Sequence, residues 1–93
     1  MRIIQSRSFA QHVKKFRAAD KNILDKQVRI IADNPAIGEE KKGDLRGIFV
    51  HKFKINTMQY LLSYRIREET LELIMIGPHE NYYRDLKSYI KSK

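Results

Sequence analysis

Lys52 and Lys54 stand two residues apart in a stretch that alternates like a β-strand, a second basic strand follows, and His79-Glu80-Asn81-Tyr82-Tyr83-Arg84 closes the region. Side chains two apart on a strand share a face, so the two ammonium groups lie on one side. Ammonium groups stabilise phosphate oxygens, a histidine gives or takes a proton near neutrality, and tyrosine rings stack on unstacked bases while offering a hydroxyl. These are the groups a site needs to hold and cut a phosphodiester. Singly, each has a plainer reading: cations solvated on a half-exposed sheet, a hydrogen-bonded loop histidine, an aromatic anchoring a helix. Tyr83 is assigned to the site and Tyr82 to packing. His12, on an exposed helix face, and His51, alternating with Phe49 and Phe53 at the core edge, are left outside it.

The elements that must position these residues follow from periodicity. Ile4 to Arg7 suits a short strand, and Ser8 is placed to cap a helix beginning at Phe9, with Phe9, Val13 and Phe16 at helical spacing. Asp20 is the expected cap of a second helix, whose stripe of Ile23, Leu24, Val28, Ile31 and Ala32 ends before the helix-stopping pair Asn34-Pro35. Residues 36–44 read as an exposed loop. Three strands follow, Ile48 to Ile55, a second built around Tyr60, Leu62, Tyr64 and Ile66, and Thr70 to Ile76, the last with the blurred alternation of a strand buried on both faces. Turns fall at Asn56-Thr57-Met58 and Arg67-Glu68-Glu69, Gly77-Pro78 stops the third strand, and Glu80 to Lys91 reads as a terminal helix.

The predicted fold is α+β: an N-terminal strand, a helical hairpin, a three-stranded antiparallel meander completing one sheet, and a short C-terminal helix. With Phe49, Phe53, Tyr60, Leu62 and Tyr64 turned toward the hairpin, Lys52, Lys54, Ser63 and Arg65 are expected on an uncovered face as a cationic groove. At 93 residues the chain reads as one small domain spanning 1–93. Its net charge of +8 favours nucleic acid, ribosome or an acidic partner. No cysteine is present and the three histidines lack zinc spacing, so neither a metal nor another cofactor is expected. No window approaches the ~18 apolar residues of a membrane span, and a cytoplasmic location is the simplest reading.

Leu45-Arg46-Gly47, His51-Lys52-Phe53-Lys54, Tyr60-Leu61-Leu62-Ser63-Tyr64-Arg65-Ile66 and Gly77-Pro78-His79-Glu80-Asn81-Tyr82-Tyr83, in this order of elements, resemble the RelE/ParE superfamily of bacterial type II toxins over nearly the whole chain. The His79-to-Tyr83 spacing resembles its YafQ-like branch. The resemblance implies a cognate antitoxin that wraps and neutralises the toxin, with DNA reached only through that antitoxin. It also implies one of two targets: RelE-like and YafQ-like members cut mRNA in the ribosomal A site, whereas ParE-like members inhibit DNA gyrase without nuclease activity. In the nuclease branch cleavage is metal-free and uses the 2′-hydroxyl. The residue-by-residue match then gives Lys52, Lys54, His79 and Tyr83 as catalytic; Arg65 and Arg84, as substitutes for a family arginine, and Arg46 are assigned to substrate binding. One departure is visible: where RelE-like members carry an arginine, this chain has Leu61. Arg65 lies on the same face four residues on, about 13 Å along a strand at ~3.3 Å per residue, so it cannot occupy the same point.

Overall fold

A computed structural model describes residues 1–92. The chain runs β1 (Arg2–Gln5), α1 (Arg7–Val13), α2 (Ala18–Asp33), a 3₁₀ turn at Pro35–Ile37, β2 (Glu39–Glu40), a second 3₁₀ turn at Gly43–Leu45, β3 (Phe49–Ile55), β4 (Met58–Arg67), β5 (Thr70–Pro78) and α3 (Tyr82–Lys91). The five strands form one sheet in the order β1-β5-β4-β3-β2. β3, β4 and β5 are an antiparallel meander, and β1 adds to β5 in parallel. The α+β expectation therefore holds.

Several boundaries move for identifiable reasons. Ser6, not Ser8, caps α1: its Oγ accepts from the Phe9 amide at 3.0 Å and donates to the Ile74 carbonyl at 2.5 Å, so one hydroxyl starts the helix and pins it to β5. α2 starts from Arg17, which makes no side-chain cap bond, and Asp20 sits inside the first turn, where a carboxylate suits the positive end of the helix dipole. The stretch read as a loop contains the two 3₁₀ turns and the two-residue β2, which pairs Glu39 with Val50 and Glu40 with Phe49. Glu68 and Glu69 both take positive φ, so the β4–β5 connection is a tight two-residue turn. β5 runs two residues beyond Ile76, through Pro78.

The irregular pattern of β5 has a structural cause. Register slips between Ser63 and Tyr64, whose β5 partners are Met75 and Leu73, leaving Ile74 as the extra residue of a bulge. Ile74 and Met75 therefore face one side in succession, while Leu71, Leu73 and Ile76 face the other. Two cores result. Phe9, Leu24, Ile31, Phe53, Ile55, Leu62 and Tyr64 fill the side covered by the helical hairpin, and Leu45, Ile48, Val50, Leu61, Tyr82 and Leu86 fill the side covered by α3. The face expected to be open is thus half roofed by α3.

Candidate functional site at the end of the sheet

Register fixes where the candidate side chains emerge. Phe53 and Ile55 belong to the hairpin-side core and Val50 to the α3-side core, so Lys52 and Lys54 project on the α3 side. Lys52, Leu61 and Gly77 form one row across β3, β4 and β5, and Lys54 and Gln59 begin the next. The His79 amide donates to the Gln59 carbonyl at 3.2 Å and extends that second row past the end of β5. At about 4.8 Å per strand step, the backbones carrying Lys54 and His79 lie roughly 10 Å apart, within the combined reach of their side chains. Both lysines and His79 are exposed.

The two adjacent tyrosines do different work. Tyr82 is 3% exposed, and its hydroxyl donates into a pair formed by Ser63 Oγ and the Met75 carbonyl, both at 2.8 Å. Burial pushes its phenol pKa far up, so it stays protonated and serves as the pin of α3. Tyr83 keeps an accessible ring, 6.5 Å from that of His79 in an edge-on arrangement. Asn81, in the left-handed conformation, turns the chain between His79 and the helix so that one tyrosine enters the core and the next faces the site.

Other members of the expected groove lie elsewhere. Ser63 is fully buried beneath Tyr82 and lines no groove. Arg65 falls beyond the bulge, toward the opposite end of β4 from Lys54, where Glu72 on β5 takes its guanidinium. Arg84 is 74% exposed, beside Asp85 at 3.5 Å, on the side of α3 turned away from Tyr82 and Leu86. Arg46 is exposed at the end of the second 3₁₀ turn. Leu61, at the position of the resemblance's arginine, is completely buried in the α3-side core, so here that position is packing and not merely an absent charge. His51 Nε2 is 2.7 Å from Gln27 Oε1, with the ring stacked on Phe53 at 5.9 Å, and His12 is exposed with Nδ1 2.8 Å from the Ser8 carbonyl.

Two side chains at the site escape the sequence reading. Lys41, in the loop after β2, places Nζ 4.9 Å above the centre of the Tyr83 ring and is ion-paired with Glu39. The Lys41 hydrogen bond, then its charge, hold the Glu39 carboxyl below the usual carboxylate range, and Lys52 adds to the effect. The same hydrogen bond raises the Lys41 ammonium pKa, and Tyr83 adds to it. In the run Gly38-Glu39-Glu40-Lys41-Lys42-Gly43 every charge reads as solvated, and nothing in that run marks Lys41. What places it is remote: the Tyr64 hydroxyl donates to the Pro35 carbonyl at 2.6 Å and accepts from the Gly38 amide at 3.0 Å, clamping the loop to the sheet. Among the described residues, no three His, Cys, Asp or Glu side chains gather as a metal site, and no helix is long and apolar enough to cross a membrane.

The sequence model of the ParE-like toxin family, toxins of type II bacterial toxin-antitoxin systems, matches residues 3–87. The chain belongs to this family. No curated protein matches it by sequence. Among solved structures, the E. coli RelBE toxin-antitoxin complex is similar at a TM-score of 0.68 and 17% identity, over 85% of this chain and 96% of that one. The isolated E. coli RelE toxin is similar at a TM-score of 0.65 and 17% identity, over 94% and 96% of the two chains. Protein HP0894 of Helicobacter pylori follows at 0.52 and 17%, over 85% and 94%. At such identities the likeness is one of fold, and this ParE-like toxin is a type II toxin of the RelE/ParE superfamily.

Proposed function

We propose that this toxin is a ribosome-dependent mRNA endonuclease of the cytoplasm, held inactive by a cognate antitoxin as RelE is found with its partner in the RelBE complex. One observation carries the reading: Lys52, Lys54 and His79 leave the same face at the same end of the sheet, exposed, and the half-buried Tyr83 ring of α3 lies edge-on to His79. In the reaction the 2′-oxygen attacks the adjacent phosphorus, the 2′-proton passes to a base, and the bond to the 5′-oxygen breaks as that oxygen gains a proton. Lys52 and Lys54 stabilise the charge on the phosphate, His79 transfers a proton, and Tyr83 holds a base against its ring. Arg46 and Arg84 supply flanking phosphate contacts; Arg65, engaged by Glu72, adds only distant charge. So small a set depends on the ribosome to position the message.

The test is induced expression in growing bacteria with mapping of transcript ends. His79→Ala should keep the fold by circular dichroism and lose cleavage by about 10²-fold or more. Normal cleavage by that variant refutes the His79 assignment. A second reading, gyrase inhibition by a ParE-like binding protein, draws on Leu61, which puts a core residue where a nuclease arginine is expected. It requires a DNA-damage response to precede any block of translation, with transcripts intact.

A further inference from the structure

The Glu39 carboxylate sits under the influence of two cations, Lys41 by direct ion pair and Lys52 through space, and Lys41 in turn lies over the Tyr83 ring. This contrasts with the usual solvated surface lysine. The Lys41 side chain is only 22% exposed whereas that of Glu39 is 68% exposed, so the cation is the fixed member of the pair and the anion the one open to exchange. Its backbone is fixed as well: the Lys41 amide donates to the Ile48 carbonyl at 2.8 Å, just outside the β2–β3 pairing. β2 presents Glu39 on the side of Val50, the Lys52 side, while Glu40 pairs with Phe49 and points to the other face.

A carboxylate ion-paired with Lys41 on the sheet face that also carries Lys52 marks a point where the protein stabilises an anion, and the surrounding groups are those of the proposed phosphodiester site. We infer that Lys41 is a phosphate-binding residue of that site and that Glu39 is its resident stand-in, displaced when a substrate phosphate enters between Lys41 and Lys52. Lys41 then supplies from a loop a further cation beside the Tyr83 ring, at a point distinct from the one Leu61 occupies. It also ties phosphate binding to the base-holding ring, because the ammonium group that meets the phosphate rests on Tyr83. The inference deepens the nuclease reading and rests on it.

The probe is a short fluorescein-labelled single-stranded RNA, its affinity followed by anisotropy across a salt series, with transcript cleavage measured beside it. Lys41→Met should weaken binding about tenfold and lower the salt slope by about one phosphate contact, and Lys41→Arg should retain both. Glu39→Gln should tighten binding roughly threefold or more by removing the competing anion, and the isoelectric control Glu40→Gln on the opposite face should tighten it less. Equal effects of the two glutamate variants, or a Lys41→Met protein with unchanged affinity and slope, overturn the inference. Reduced cleavage by Lys41→Met with an unchanged slope also overturns it, leaving Lys41 as a positioning residue for Tyr83. Should Lys41→Met fail to fold, the glutamate pair decides alone. These failures leave a wild-type protein that binds RNA and cuts transcripts; if the wild type does neither, the nuclease reading itself fails and takes the inference with it.

Discussion

The two faces of the sheet are closed by different means. Under the helical hairpin, carbon does it: Phe9, Leu24, Ile31, Leu62, Leu71 and Ile76 interlock, and polar groups such as the His51–Gln27 pair and the Tyr64 hydroxyl stay at the rim. Under α3 the roof is a ten-residue helix, fixed by a polar pin in which the Tyr82 hydroxyl reaches Ser63 and the Met75 carbonyl. So short a helix covers only the middle of its face. Two charged margins remain, Arg65 with Glu72 at one end and Lys52, Lys54 and His79 at the other. One sheet surface thus serves as core and carries the proposed site, whereas the hairpin side is nearly all scaffold.

If that division is right, truncation on the hairpin side should cost the most stability and leave the site chemistry unaltered in the protein that still folds. Leu62→Ala removes a fully buried side chain, and about 2–5 kcal/mol should be lost in urea unfolding with an unchanged denaturant slope. A loss below about 1 kcal/mol would show that this face repacks freely and breaks the comparison. Lys52→Ala and Lys54→Ala are the converse: stability within roughly 0.5 kcal/mol of wild type, with cleavage lost.

Gly38→Val comes next, and it couples the faces. A Cβ at Gly38 stands 2.5 Å from the Tyr64 hydroxyl, which belongs to the hairpin-side core yet clamps the loop that carries Glu39 and Lys41. Roughly 1–3 kcal/mol should be lost as tyrosine or loop gives way. Because the clamp positions Lys41 over Tyr83, RNA affinity should fall in the same variant, where Leu62→Ala leaves it intact. Unchanged affinity would separate the loop from the site.

These contrasts also explain what the sequence makes legible. Helical stripes and strand alternation are local and strong, so the helical hairpin, the meander, the terminal helix and the shared face of Lys52 and Lys54 can be read from spacing. Ser6 wins the cap over Ser8 because its hydroxyl also meets Ile74, sixty-eight positions away, and no local pattern contains that partner. The open groove fails for a similar reason: Ser63 looks like a solvent-facing residue until Tyr82 packs over it and donates to its hydroxyl, and the bulge at Ile74 moves Arg65 to another neighbourhood. Lys41 is invisible for the same cause, since its position depends on Tyr64 gripping Pro35 and Gly38.

Tyr82→Phe probes the pin alone. The ring stays and both hydrogen bonds go, while Ser63 Oγ keeps its own donation to the Met75 carbonyl at 3.3 Å, so a cost of about 1 kcal/mol is expected. If α3 is held by that pin, amide exchange should quicken in α3 more than in α1 or α2. Uniform quickening would mean that the two faces open as one unit.

The smallest effect is the one with the clearest sign. Burial holds the His51 pKa below the ordinary imidazole value, on the hairpin side, while the neutral ring meets Gln27 and stacks on Phe53. Its folded pKa is therefore lower than its unfolded one, near 6.5, so the unfolded chain takes up the proton first as pH falls. The His51 contribution is present above about pH 6.5 and disappears as pH drops through the folded-state value. His51→Gln removes this titration and leaves His12 and His79, both exposed, in place. Between pH 7.5 and 5, wild-type stability should fall more steeply than that of His51→Gln, and the two curves should run parallel at higher pH. Parallel curves throughout would show that His51 contributes nothing to the acid sensitivity of this fold and would leave the hairpin side as titration-silent scaffold.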